Sequence, residues 1–260
     1  MKTPIVIYRG PSMLDGAPIV ALASVGSSNV KTGSMVQTWI MRADLHPSEV
    51  SARGLDSSVC GNCPRRHSLG GDCYVQIPHA PRATWQNWQA QGSPGANWDQ
   101  PRQVRQLRRD ASAFGLRMGS YGDPAAVPWQ VWQGLSDALQ PTTSVGYTHQ
   151  WRETWLDGAH ASWLRTHVMA SVDSVEEAEI ARSRGWRFFL AIPANLAAVY
   201  ADTFATVVEC PATISDRTCY ECGACDGAAR GARKASVFLA EHGGRSSGKA
   251  KRVAALAVIQ

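Results

Sequence analysis

Short apolar, β-branched runs bounded by Gly, Pro and Ser recur along the whole chain, and from residue 116 onward most are followed by a segment with helical spacing. The first two, PIVIYR at 4–9 and IVALAS at 19–24, read as the strands of an N-terminal β-hairpin. A polar turn at Asn29 to Gly33 follows, and VQTWIMR at 36–42 then alternates like a third strand. LRMGSY (116–121), SVGYTH (144–149), HVMASVD (167–173), RFFLAI (187–192) and SVFLAE (236–241) each precede a helical segment, while TVVEC (206–210) runs into a cysteine-rich stretch. In the clearest unit Ser174 caps a helix, Glu177 is the matching capping-box acid and Gly185 ends it. Units of roughly 20 to 30 residues in this order predict an α/β fold: a parallel sheet with helices outside it, closed into a complete or partial TIM-like barrel. The expected organisation is one α/β domain over 1–260, with 1–35 as a hairpin extension and 210–226 as a cysteine-rich loop.

Between the third and fourth strands lie two further segments of helical spacing, ATWQNWQAQ at 83–91 and QVRQLRRDASAF at 103–114. Val104, Leu107, Ala111 and Phe114 share one face of the second; Arg102, Arg105, Arg108 and Arg109 occupy the other. Such a set is ordinarily a solvated surface. With Trp85, Trp88 and Trp98 nearby it is also the best candidate footprint for nucleic acid, although no nucleic-acid-binding motif accompanies it. The ten tryptophans are expected to pack the core and the layers between elements. A net charge of +5 and a pI near 8.9 permit an anionic partner without requiring one. With 260 residues and 44% hydrophobic composition the chain can bury a large core, and no stretch approaches the roughly 20 apolar residues of a membrane span. A soluble, cytoplasmic protein is expected.

Cysteine spacing carries the chemistry. Four of the seven cysteines fall in CPATISDRTCYECGACD at 210–226, where Cys219, Cys222 and Cys225 form C-x2-C-x2-C and Cys210 supplies a fourth thiol. Three closely spaced thiolates suit an iron-sulfur cluster, 4Fe-4S above all, and zinc is the alternative because CxxC pairs also build tetrahedral sites. Cys60, Cys63 and Cys73 form a second group, C-x2-C-x9-C, on a long Gly-, Ser- and Pro-rich loop after the third strand. If the sheet is a barrel, the loops following its strands share one end, and the two groups would meet there. An odd number of cysteines fits metal ligands in a reducing compartment better than a secreted disulfide framework.

The segments CGNCPRRHSLGGDCYV at 60–75 and GSYGDPAAVP at 119–128 give the chain a family likeness. It resembles phage-encoded, radical SAM-like iron-sulfur proteins. The resemblance implies a 4Fe-4S cluster on the first cysteine loop and S-adenosylmethionine bound beside Gly122 and Asp123, with Asp123 near its ammonium group. It further implies auxiliary clusters in the Cys210 region and a host-cytoplasm location. A protein of this lineage can also keep the cluster without the cofactor chemistry.

His149 follows Tyr147 at an alternate position of its strand and is the best non-cysteine candidate for a polar role, as cluster neighbour or acid/base. Asp123 and His149 are thus the catalytic candidates. GGRSSGKA at 243–250 imitates a phosphate-binding loop, but Ala250 replaces the hydroxyl residue that would ligate magnesium, so nucleotide hydrolysis is not expected. The leading expectation is an iron-sulfur protein with a redox or radical role, working with a redox partner or small-molecule substrate. The competing one is a zinc-stabilised binding protein that contacts nucleic acid or a host protein.

Overall fold

The described strands of the computed structural model form one sheet of nine, in the order β1-β2-β3-β4-β5-β6-β7-β9-β8. The structure describes residues 3–25, 29–95, 107, 115–156, 158–193, 207–228 and 235–240. β1 (Ile5–Pro11) and β2 (Pro18–Ser24) form the expected antiparallel hairpin, closed where Pro11 faces Pro18. β2 also pairs antiparallel along β3 (Met35–Arg42), so the hairpin is the edge of the main sheet rather than an appendage. From β3 onward every pairing is parallel, through β4 (Gly115–Tyr121), β5 (Thr143–Thr148), β6 (Met169–Val172) and β7 (Phe188–Ile192). β9 (Ser236–Ala240) pairs with β7, and β8 (Val207–Glu209) takes the outer edge beyond it.

No pairing among the described residues joins β8 to β1, so these strands form an open sheet and not the complete barrel that the repeated βα pattern suggested. The hairpin occupies the β3 edge, at which the last strand of a barrel of consecutive parallel strands would have paired.

Alternation along the strands sorts their side chains onto two faces. On one, Leu116, Met118, Ala170, Val172, Phe188, Leu190 and Phe238 pack against α4 (Trp129–Leu139), α5 (Gly158–His167) and α6 (Val175–Ser183). Trp132, Leu135, Trp163, Leu164 and Ala178 are the helical partners there. Ser174 caps α6 by accepting from the Glu177 amide, and Gly185 at φ +77° lies just past its end, both as expected. The Glu177 carboxylate, however, accepts from the Asp173 amide at 2.9 Å, one residue earlier than a capping box would have it.

The opposite, inner face is covered differently. Trp39, Met41 and Tyr121 pack under Trp88 of α3 (Ala80–Ala90). Val145, Tyr147, Met169, Phe189 and Val237 pack under the cysteine segment. β3 is therefore buried on both sides, which its alternating sequence did not suggest. The tryptophans serve the packing role expected of them: Trp88 and Trp132 are fully buried, and Trp39, Trp151, Trp163 and Trp186 nearly so. The arginine-bearing segment expected to be helical at 103–114, the segment expected to be a short helix at 194–201 after RFFLAI and the phosphate-loop imitation at 243–250 lie outside the described residues, Leu107 excepted, which is buried.

Candidate metal centres

Cys60, Cys63 and Cys73 sit where β3, β4, β5 and β6 end. After α1 (Pro47–Ala52) the chain makes the single turn of α2 (Ser57–Cys60) and turns sharply at Gly61, φ +56°, against the Gln150 side chain. Gln150 holds this turn from both sides: its Nε2 donates to the Cys60 carbonyl at 3.1 Å and its Oε1 accepts from the Asn62 amide at 3.3 Å. The rest of the loop is organised by ion pairs. Arg66 donates to Asp56 and to the Cys63 carbonyl, and Ser68 donates to Asp56. Arg65 bridges Asp72 and Asp173, and its carbonyl accepts from the Cys73 amide. Side-chain hydrogen bonds and ion pairs thus order a loop of this length.

The three thiols lie within electrostatic reach of one another. Burial pushes the Cys60 thiol well up, and the neighbouring Cys63 and Cys73 push it further. Burial likewise raises Cys73 to about 11, partly opposed by the Val75 amide that favours its thiolate. His149 approaches from the Cys63 side, with Nε2 3.8 Å from the Cys63 Sγ and 3.4 Å from the Asp173 Oδ2. Burial alone would lower its pKa, but Asp173 and Cys63 together raise it to about 10. For Asp173 burial works upward and is outweighed by His149 and Arg65, which bring it down to about 2.

Gly122 and Asp123 stand beside this group, at the end of β4. At Gly122, φ +83°, a Cβ would come within 2.7 Å of the Ile40 Cβ and 2.8 Å of the Ile40 carbonyl oxygen, so glycine is required by the approach of β3. Asp123 is 6% exposed and its oxygens are engaged inside the protein. Oδ1 accepts from the Ala125 amide at 2.9 Å, and Oδ2 accepts from the His149 amide at 2.8 Å and from Gln150 at 3.4 Å. Its own amide donates to the Val59 carbonyl, one residue before Cys60. Asp123 thereby ties the ends of β4 and β5 to the cysteine turn.

The second group is built by the chain after β8. Cys210 precedes α7 (Pro211–Ile214); Cys219 and Cys222 begin and end α8 (Cys219–Cys222), which Thr218 and Glu221 close with a full capping box; Cys225 follows Gly223, φ +59°. All four thiols are mutually close, since each of Cys210, Cys219 and Cys225 feels other members of the set after burial, the leading cause of its raised pKa. Cys225, the most enclosed, reaches about 12. None of the seven cysteines is in a disulfide.

The second group does not join the first at one end, as closure into a barrel had suggested. The segment folds back over the inner face toward the ends at which the strands begin. Cys219 and Tyr220 donate to the Lys31 and Thr32 carbonyls ahead of β3, Thr143 at the start of β5 donates to the Tyr220 carbonyl, and Arg187 ahead of β7 holds Ala224, Asp226 and Gly227. Between the groups lies Arg117, midway along β4. Its guanidinium donates to the Tyr74 hydroxyl at 2.7 Å, one residue past Cys73, and faces Cys219 and Tyr147.

The chain matches no family model, no curated protein and no solved structure. Among the described residues, no group of three or more His, Cys, Asp or Glu side chains meets the geometry of a single-ion site.

Sequence reasoning identified the seven thiols and His149 but missed Gln150, Asp173, Asp56, Arg65 and Arg117. Gln150 and Asp173 carried a usable signal, since Gln150 follows one predicted strand and Asp173 is the last residue of the next.

Proposed function

We propose that this chain is an iron-sulfur protein with a redox or radical role, one metal group being held at Cys60, Cys63 and Cys73 and another at Cys210, Cys219, Cys222 and Cys225. The observation that carries this reading is the gathering of all seven cysteines, unpaired by disulfides, into two sets, one where the parallel strands end and one over the inner face where they begin. The C-x2-C-x2-C spacing of Cys219, Cys222 and Cys225 suits a cluster better than a single zinc ion.

If a four-iron cluster is bound there, Cys60, Cys63 and Cys73 would hold it by three thiolates, and a small molecule, S-adenosylmethionine included, could reach the remaining iron. Asp123, already bonded to the protein, would support that site from behind rather than receive an ammonium group. Arg117 between the two groups suits electron traffic, because a fixed cation stabilises the added negative charge on either side.

Anaerobic reconstitution of the full chain, with iron, acid-labile sulfide and zinc measured together, tests the reading. The expected product is brown, with broad visible sulfur-to-iron charge-transfer absorption, and Cys222→Ser should lose iron and melting temperature together because metal binding there is also folding energy. A colourless protein carrying stoichiometric zinc and no sulfide would establish the second reading, a zinc-stabilised binding protein. The C-x2-C on the capped turn of α8 is the observation that favours that alternative.

A further inference from the structure

Three of the arginines that flank the cysteine groups are paired with carboxylates. Arg65 bridges Asp72 and Asp173, Arg66 donates to Asp56, and Arg187 donates to Asp226 and to three carbonyls. Arg117 differs. It is partly buried, yet it has no carboxylate partner among the described residues, and its one hydrogen bond there runs from Nη2 to the neutral Tyr74 hydroxyl at 2.7 Å. Its Nε and Nη1 groups bond no described residue, and neither is sealed from solvent. Tyr74 is itself 65% exposed, and because its oxygen accepts from Arg117, its own proton remains to serve a second acceptor. Guanidinium and phenol thus present N–H and O–H donors side by side. A partly buried cation without a counter-charge is costly, and a bound anion removes that cost.

The sheet fixes where these donors stand. Arg117 lies in register between Gln37 of β3 and Val145 of β5. Val145 packs with Cys225, with Cys210 and Cys219 against the same cluster. At Gly115, two residues before Arg117 on the same face, a Cβ would come within 2.8 Å of the Tyr220 ring, so the second cysteine segment borders Arg117 on one side. Tyr74, the neighbour of Cys73, borders it on the other. Gln37 is committed to the Ser120 and Thr32 hydroxyls and offers Arg117 no acceptor.

We infer that Arg117 and Tyr74 form a binding site for the oxyanion group of a small molecule, a carboxylate or a phosphate, held between the two cysteine groups. The planar fork of Arg117 matches paired oxygens of either group, and the Tyr74 hydroxyl adds a further donor. Recognition of this kind uses no metal, so the site stands whether or not the cysteines bind one. Its role as a substrate site rests on the redox reading above, under which it names the substrate class: a small anion placed between two redox groups.

The test is thermal melting of the full chain, as purified and after anaerobic reconstitution with iron and sulfide, in increasing inorganic phosphate or acetate, with sodium chloride at matched ionic strength as the reference. Phosphate, acetate or both should raise the melting temperature beyond chloride, in the manner of a ligand that binds only the folded chain. A rise with phosphate alone identifies a phosphate-bearing ligand, and a rise with acetate alone a carboxylate. Arg117→Met should lose the rise, while Arg53→Met, at an exposed arginine of α1, should keep it. Tyr74→Phe, a surface change that does not threaten folding, should need about fivefold more anion for the same rise, as for loss of one hydrogen bond. If neither anion does more than chloride, or if Tyr74→Phe and Arg117→Met respond as the parent does, the inference is overturned. Iron and sulfide content of the same preparations keeps the two claims apart. A colourless, iron-free chain with a specific anion response loses the cluster reading and keeps the anion site; an iron-loaded chain without that response loses the site and keeps the cluster.

Discussion

Single side chains decide how firmly the first cysteine group is held. Asp123 serves the Ala125 and His149 amides and Gln150, and Gln150, itself 1% exposed, serves Cys60 and Asn62. Asp123→Ala leaves two buried amides without an acceptor, and a loss of about 3 kcal/mol is expected by denaturant unfolding of the metal-free chain. If the variant unfolds within about 0.5 kcal/mol of the parent, the carboxylate is not the support described here. Asp173 has a pH signature. Its pKa, about 2 in the folded state against the usual 3.8, means that the unfolded chain binds the proton first as pH falls. Its stabilising contribution is thus complete above pH 4 and disappears as the pH drops toward 2. The stability of Asp173→Asn should accordingly fall less steeply across that window than the parent's. Equal slopes would show that Arg65 and His149 do not hold the carboxylate ionised.

At the scale of elements, the turn that closes β4 is the most constrained piece of backbone near the candidate site. Gly119 and Gly122 both adopt positive φ, and a Cβ at Gly122 would collide with β3. Gly54, at φ +71°, has open space where its Cβ would be. Gly122→Ala should therefore cost clearly more than Gly54→Ala: about 3 kcal/mol or more from strain plus collision, against about 1 kcal/mol from strain alone. Thermal midpoints of the two variants side by side check the contrast. GSYGDP is thus legible twice over, as a turn by its composition and as an intimate β3–β4 contact by its geometry. Only the first could be read from sequence, because the neighbour of Gly122 is Ile40, some eighty positions earlier in the chain.

For the whole molecule, if the two cysteine groups hold metal as proposed, they should fill independently, because one lies where the strands end and the other where they begin. Cys60→Ser should remove only the iron of the first group and Cys222→Ser only that of the second, their losses adding in the double variant, since neither shares a ligand with the other. Loss of all iron in either single variant would point to one shared group instead.

The nine strands along the chain, the helices after β4, β5 and β6, the hairpin, the Ser174 cap and the grouping of the thiols could be read from the sequence alone, because each depends on residues near one another: alternation, capping and cysteine spacing are local. Tertiary structure decided the rest. The hairpin takes the β3 edge at which the last strand of a parallel barrel would have paired, β8 exchanges order with β9, and the segment from Cys210 doubles back toward the beginnings of the strands. The partners Asp56, Gln150 and Asp173 carry no spacing signal, since what brings them to Cys60, Cys63 and Cys73 is the parallel sheet. Strands running in one direction deliver the residues at their ends to a common edge, however far apart they lie along the chain.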